Sequence, residues 1–272
     1  MKNLFDLKDK VLAITGGGGV LGSEIACALA EHSCKIAILD LRTDLSESVL
    51  KRLNDSAAEY AVFQCDVLSR ESVEKCKNEI LAKFEHIDFL INGAGGNHLK
   101  STTSSDMSFF DIPTEALNWV SQLNLTGTII PSQIFGNYFA EQGQGNILNV
   151  SSMNAFRPLT RIPAYSAAKA AVSNFTQWLA VHMAQEYSAK IRVNAIAPGF
   201  FLTNQNRFLL TDKKNGELTK RGQSIIDHTP MAIFGNPEDL IGTIIWLLSP
   251  ASSFVTGIVV PVDGGFSAFS GV

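Results

Sequence analysis

Seven short apolar runs, separated by turns and stretches of helical period, constrain this 272-residue chain more than any other feature. They are Val11–Ile14, Lys35–Leu39, Tyr60–Phe63, Ile87–Ile91, Asn146–Val150, Ile191–Ile196 and Ile258–Val260. A strand that reads as a near-continuous apolar run is buried on both faces, as in a parallel sheet covered by helices. Helical patterns between the runs include Leu21–Ala30, Ser69–Phe84, Glu115–Ala140 and Ala164–Tyr187. Alternation of this kind, with right-handed crossovers, predicts a doubly wound α/β fold: a seven-stranded parallel sheet with helices on both faces. No linker-like stretch divides the chain, so one domain is expected over residues 1–272. The rhythm breaks once, at 200–236, between the sixth strand and the last helix. This insertion is polar in its middle, from Thr211 to Glu217. Ligands of such sheets sit beyond the carboxyl ends of the strands. The insertion therefore reads either as a substrate lid or as a solvated surface excursion.

Composition narrows the partners. With 46% hydrophobic and 18% charged residues, the chain can fill a large core and is neither disordered nor fibrous. A net charge of −4, from 22 basic and 26 acidic residues, leaves no basic excess to neutralise nucleic acid. No apolar stretch reaches the ~18–20 residues that a membrane span needs, so no membrane partner is expected. Asp6 and Asp9 interrupt the first ten residues before a signal-peptide core forms. Cys27, Cys34, Cys65 and Cys76 lack metal-ligand spacing, so no metal site is expected. They read as small buried hydrophobes in a reducing, cytoplasmic compartment.

The first run leads into Thr15-Gly16-Gly17-Gly18-Gly19-Val20-Leu21-Gly22, whose last six residues match G-x-G-x-x-G. Between a strand and a helix, such glycines make a tight turn and let backbone N–H groups approach a pyrophosphate, which the positive end of the helix also attracts. This is the pattern of a Rossmann-type dinucleotide site, with Gly16, Gly17, Gly19, Val20 and Leu21 as its expected contacts. Asp40 ends the second run, and a carboxylate there accepts hydrogen bonds from ribose hydroxyls and repels the extra phosphate of NADP. NAD is thus expected over NADP, with Arg42 nearby softening the preference. The alternative is a charged strand end facing water. Asp66, with Val67, stands where adenine would lie, or else caps the helix from Ser69. Asn92-Gly93-Ala94-Gly95 ends the fourth run, and Asn92, Ala94 and Gly95 join the expected cofactor set.

Ser152 follows the fifth run, and Tyr165 and Lys169 stand one helical turn apart further on. A phenol titrates near ~10 in water and must be tuned toward neutrality to exchange protons efficiently. A neighbouring ammonium and a positive nicotinamide ring both favour the phenolate. Ser152 can hydrogen-bond a substrate oxygen as charge develops on it.

These pieces, with Pro198-Gly199…Thr203 and Val262-Asp263-Gly264-Gly265, resemble the short-chain dehydrogenase/reductase family over nearly the whole chain. The resemblance implies hydride transfer between nicotinamide C4 and a carbonyl or carbinol carbon. It implies that Tyr165 is the acid/base, that Lys169 holds the nicotinamide ribose and lowers the tyrosine pKa, and that Ser152 orients the carbonyl. Asn124 matches a helix asparagine that supports a water-mediated proton relay with Lys169. Pro198, Gly199 and Thr203 match the segment that meets the carboxamide. A homotetramer is implied too, built through the helices of Asn124 and Tyr165 and the C-terminal segment. Two positions depart from the family pattern: Val20 replaces a glycine of the turn, and Gly93 replaces the second asparagine after the fourth strand.

Three further pieces, Gly93–His98, Met153–Arg161 and Pro198–Arg207, resemble the branch that interconverts D-fructuronate and D-mannonate. A sugar acid needs a cation for its carboxylate, and an arginine fork matches one with two bonds. Arg157 and Arg207 are the candidates, with Asn97, His98, Asn154 and Gln205 for the hydroxyls and Ser152 for the reacting oxygen. His98 capping a loop and Arg157 lying on the surface or between subunits are the plainer readings. Gluconate, polyol and 3-oxoacyl-carrier-protein reduction are alternative activities; Phe200, Phe201 and Phe208 read either as an apolar lid suited to a fatty-acyl or steroid substrate or as core residues. A nicotinamide-sensing protein without activity is the reading of another class, and the presence of both Tyr165 and Lys169 speaks against it.

Overall fold

The computed structural model describes residues 3–203, 207–212 and 216–271. Its strands are β1 (Val11–Thr15), β2 (Lys35–Asp40), β3 (Tyr60–Gln64), β4 (Phe89–Asn92), β5 (Gly145–Val150), β6 (Ile191–Pro198) and β7 (Val259–Val262). They form one seven-stranded sheet in the order β3-β2-β1-β4-β5-β6-β7, and every neighbouring pair is parallel. All seven apolar runs are strands of this sheet. The fourth begins two residues later than expected, at Phe89; just ahead of it the Asp88 carboxylate binds the Lys10 ammonium and the Val11 N–H.

Alternate residues of the strands feed two separate cores. Leu12 and Ile14 of β1, with Ile36 and Ile38 of β2, pack against α1 (Val20–Glu31) and the late helix Ile241–Leu248. Val11, Ala13, Ala37 and Leu39 face the opposite way. There they meet the helices Arg70–Phe84, Gly127–Gln142 and Pro163–Glu186. Both faces are therefore dry, which is the physical reason these strands carry no polar alternation.

The helix following β2, α2 (Glu47–Asp55), was not visible in the apolar pattern, since Leu53 is its only buried residue. Ser46 starts it by accepting the Val49 N–H. Ser69 caps α3 (Arg70–Phe84) in the same way, through the Ser72 N–H. The expected helix 115–140 is two helices, α4 (Thr114–Ser121) and α5 (Gly127–Gln142). They are joined by a wide, π-type turn, Gln122–Thr126. The extra residue in that turn rotates Asn124 into the protein, where it is fully buried. The helix α6 (Pro163–Glu186) opens on a proline, which fits a first helical turn because its missing N–H would have had no partner there.

Strand order reverses between β1 and β4, and the loops leaving these two strands diverge to opposite faces. That opens a crevice at the carboxyl edge of the sheet. The 200–236 insertion lies along it and carries α7 (Arg207–Leu210) and α8 (Lys220–Asp227). Its ends are drawn together where Phe201 bridges Gly235. Among the described residues no helix is long and apolar enough to cross a membrane, and no cluster of acidic, His or Cys side chains could hold a metal. All four cysteines are buried and unpaired.

Candidate active site

The glycine turn is shaped by close backbone approaches. Gly16 sits at φ 65°, and a Cβ on it would stand 2.8 Å from the Ala94 backbone. A Cβ on Gly22 would overlap the Gly16 carbonyl oxygen. The turn can therefore fold back on itself and against the β4 loop only while both positions lack side chains. Beside it runs a cleft of about 490 Å³, lined by Gly16, Gly19, Val20 and Leu21, by Asp40, Val67, Ala94 and Gly95, and by Gly199 and Thr203. The Asp40 carboxylate is fixed across the turn: Oδ2 accepts the Gly18 N–H at 3.0 Å and Oδ1 the Arg42 N–H at 3.2 Å. The cleft, its glycine floor and this carboxylate fit an extended dinucleotide with free ribose hydroxyls.

Four of the expected cofactor residues stand elsewhere. Gly17 backs onto Ile14 and Ile38, and a Cβ on it would stand 3.0 Å from each side chain, so it is a packing glycine. The Asn92 amide donates to Ser132 and Asn149, and the side chain is buried in the core beneath the site. Pro198 is buried at the end of β6 and paired with Val262; the cleft is reached by its neighbour Gly199. Asp66 is exposed, and its Oδ1 accepts the Leu68 N–H, shaping the turn ahead of α3. Leu41, Leu123 and Phe201 also line the cleft. Leu41 and Leu123 carry no motif and could not have been singled out in the sequence, while Phe201 was read only toward the substrate.

The chemical group assembles where β5 ends against α6. Ser152 hydrogen-bonds Tyr165, and Lys169 Nζ lies 5.6 Å from the centre of the Tyr165 ring. Lys169 is buried, with Nζ donating to the Val150 carbonyl at 2.8 Å. Burial pushes its pKa down from 10.5 to about 8. Burial also holds the Tyr165 phenol above its ordinary value, with the Ser152 bond opposing. The expected lowering joins Lys169 with a positive nicotinamide ring; in the protein itself burial is the largest influence on the phenol and the Ser152 bond is the one that opposes it. Asn124 is held on several sides. Its amide nitrogen donates to the Gly96 and Val120 carbonyls, and its Oδ1 accepts the Gly96 N–H. Its carbonyl accepts the Thr128 hydroxyl. The Asn124 side chain thus clamps the loop after β4. Asn124 and Lys169 converge on Gly95, where a Cβ would lie 2.7 Å from Asn124 Oδ1 and 3.2 Å from Lys169 Nζ.

The buried lysine gives a stability prediction. Its folded pKa lies below its unfolded value, so the unfolded chain binds more protons between about pH 8 and 10.5. Wild-type stability therefore gains from this group as pH rises through that window, and below it the charged lysine destabilises the fold. Lys169→Met removes the penalty. Its melting temperature at pH 7 is expected to match or exceed wild type, with the gap moving in favour of wild type by pH 10. A variant less stable at pH 7 than at pH 10, relative to wild type, contradicts this reading.

The residues expected to read a sugar acid scatter. Asn97 Nδ2 donates to Thr102 Oγ1 at 2.8 Å. His98 Nδ1 accepts the Lys100 N–H at 3.1 Å, and its ring packs 5.3 Å from Trp119, so the loop-capping reading of His98 is the one observed. Asn154 is buried beside Ser152, whose Oγ accepts its N–H, but its Oδ1 is sealed from solvent. Arg157 Nε donates to the Ser267 carbonyl, tying the serine loop to the C-terminal segment. Arg207 is exposed at the start of α7. Gln205 lies outside the described residues.

Comparison with known proteins agrees with this geometry. A family model described as enoyl-(acyl carrier protein) reductase matches residues 19–267. The uncharacterized oxidoreductase UxuB of Bacillus subtilis (strain 168) is 46% identical over 276 residues, covering 98% of each chain. The 2-dehydro-3-deoxy-D-gluconate 5-dehydrogenase of Escherichia coli (strain K12) is 31% identical over 265 residues, covering 97% of this chain and 98% of the relative. A crystal structure of a candidate D-mannonate oxidoreductase from Haemophilus influenzae, with bound NAD, superposes with a TM-score of 0.90 at 44% identity and covers 98% of each chain. With its parallel sheet, glycine turn and Ser152–Tyr165–Lys169 group in place, this chain belongs to the short-chain dehydrogenase/reductase family of NAD(P)-dependent oxidoreductases.

Proposed function

We propose that the enzyme interconverts D-fructuronate and D-mannonate with NAD. The observation that carries this reading is the close likeness to the NAD-bound Haemophilus influenzae structure, over 98% of both chains. The E. coli relatives named for 2-dehydro-3-deoxy-D-gluconate and 5-keto-D-gluconate support the broader class of sugar acids. In the cleft, Gly16, Gly19, Val20 and Leu21 hold the pyrophosphate, Asp40 the adenosine ribose, Val67 the adenine, and Gly199 and Thr203 the carboxamide. When bound, the nicotinamide accepts or supplies the hydride. The protein handles the proton: Tyr165 takes it from the carbinol during oxidation and returns it during reduction. Ser152 hydrogen-bonds the same oxygen and stabilises its developing charge. Lys169 keeps donors for the nicotinamide ribose beyond the one given to Val150. Arg157 retains two terminal NH2 groups for the carboxylate, and Arg207 approaches from α7. The Asp40 carboxylate beside the Gly18 N–H disfavours the added phosphate of NADP.

The exposed Trp178, Val181 and Tyr187 on α6, with Phe175 and His182 stacked among them, are where we place the contacts of a homotetramer. A light-scattering mass of four times 29.5 kDa is the check. Four unpaired buried thiols favour a cytoplasmic location. The deciding assay is D-mannonate oxidation against D-gluconate, polyols and 3-oxoacyl thioesters, each with NAD and NADP. Selective turnover of D-mannonate with NAD is expected. Turnover confined to thioesters overturns the sugar-acid reading.

A further inference from the structure

Ser151 precedes Ser152 at the end of β5; it is 2% exposed and forms its own bonds to the catalytic helix. Its Oγ donates to the Lys169 carbonyl at 3.0 Å and lies 2.7 Å from Ser173 Oγ. One hydroxyl has a single proton to give. With that proton on the Lys169 carbonyl, the Ser173 hydroxyl is the donor of the second bond. The opposite stitch comes from Lys169, whose Nζ donates to the carbonyl of Val150 at 2.8 Å. The strand end at 150–151 and the helix turn at 169–173 are thus laced in both directions. Tyr165 lies one turn up that helix, bonded to Ser152, the next residue of the strand end. The Ser151 backbone is in turn pinned to β6, where its N–H reaches the Ile196 carbonyl at 2.8 Å.

We infer that Ser151 is a positioning residue that sets Tyr165 and Lys169 against Ser152 by anchoring the Lys169 carbonyl to the end of β5. The inference rests on the reading of Tyr165 and Lys169 as the proton-transfer group. An interior helical carbonyl already accepts its own helical bond, so the Ser151 bond is not needed to form the helix. What it fixes is the helix's position along the strand end. Misplacement of reacting groups by about 1 Å is enough to cost on the order of 10²-fold in rate.

Ser151→Ala keeps the shape and removes the donor. Its kcat is expected to fall by about ten- to a hundredfold. KM for NAD should change little, and the pH at which kcat for oxidation rises should move. Ser151→Thr retains the hydroxyl and should restore most of kcat. Ser173→Ala leaves the bond to the Lys169 carbonyl in place and should stay near wild-type activity. The inference is overturned if Ser151→Ala keeps wild-type kcat, or if Ser151→Thr is as slow as Ser151→Ala, or if Ser173→Ala is equally slow. Should Ser151→Ala not fold, the Ser151→Thr and Ser173→Ala pair decides in the same way. Tyr165→Phe, run alongside, separates the two readings: an active Tyr165→Phe removes the proton-transfer assignment itself, whatever Ser151 does.

Discussion

Tyr165→Phe is expected to lower kcat by roughly 10²–10⁴-fold, the range that a positioned general acid or base contributes, while NADH still binds. The phenol oxygen is the bonding partner of Ser152, and the buried Lys169 Nζ lies over the Tyr165 ring. Phenylalanine keeps the ring and its packing, so the fold and the cleft persist. What disappears is the hydroxyl proposed to carry the proton. The pH dependence makes the case specific. Burial raises the phenol above its ordinary value, so it remains protonated across neutral pH. Reduction needs that proton and should be flat near pH 7, declining only in alkali. Oxidation needs the phenolate and should rise by about tenfold per pH unit toward alkaline pH, until the phenol titrates. Both dependences should vanish in Tyr165→Phe. Stopped-flow rates in each direction, beside NADH fluorescence titrations, test this. Wild-type rates in the variant, or an oxidation rate indifferent to pH, sink the assignment.

The sheet was legible in the sequence because burial on both faces leaves an uninterrupted apolar run, and nothing else in the chain produces seven of them. Elements that bury little left no such mark: α2 hides a single leucine and escaped notice. The break in the 115–140 helix escaped for a different reason. A one-residue insertion at Gln122–Thr126 changes the helical phase by less than the apolar pattern can register, and it is the burial of Asn124 that reveals it. Within the site, spacing brought Ser152, Tyr165 and Lys169 together correctly. What each side chain bonds to depended on neighbours distant in sequence. Asn92 turned inward because Ser132 and Asn149 were there to accept its amide. Arg157 lost its Nε–H to a carbonyl 110 residues away. The substrate-side residues were least legible, since polar side chains on irregular loops satisfy one another before they meet a ligand, as Asn97 does with Thr102 and His98 with the Lys100 N–H.

Gly22→Ala should disable the cofactor cleft through a single methyl group. A Cβ on Gly22 would overlap the carbonyl oxygen of Gly16 and lie 2.9 Å from Gly17 Cα, so the obstruction is backbone and cannot rotate aside. Gly22 belongs to the first turn of α1, which lines the cleft and whose N–H groups lack partners within the helix. To accept the methyl, that turn must move away from Gly16, which carries the glycine floor with it. Gly16 is itself packed close to the β4 loop: a Cβ on it would stand 2.8–2.9 Å from the Gly93–Ala94 backbone. Overpacking of this kind costs about 1–3 kcal/mol of stability. The loss in NADH affinity should be larger, because dinucleotide binding depends on those N–H groups holding their aim. Gly18→Ala is the comparison: its nearest neighbour is the Asp40 carboxylate at 3.1 Å, a side chain able to shift. Gly18→Ala should therefore fold like wild type and bind NADH with a modest loss. Melting curves and NADH titrations on both variants give the answer. If Gly22→Ala binds NADH as tightly as Gly18→Ala does, the turn is not what holds the pyrophosphate, and the cofactor must enter the crevice by a different set of contacts.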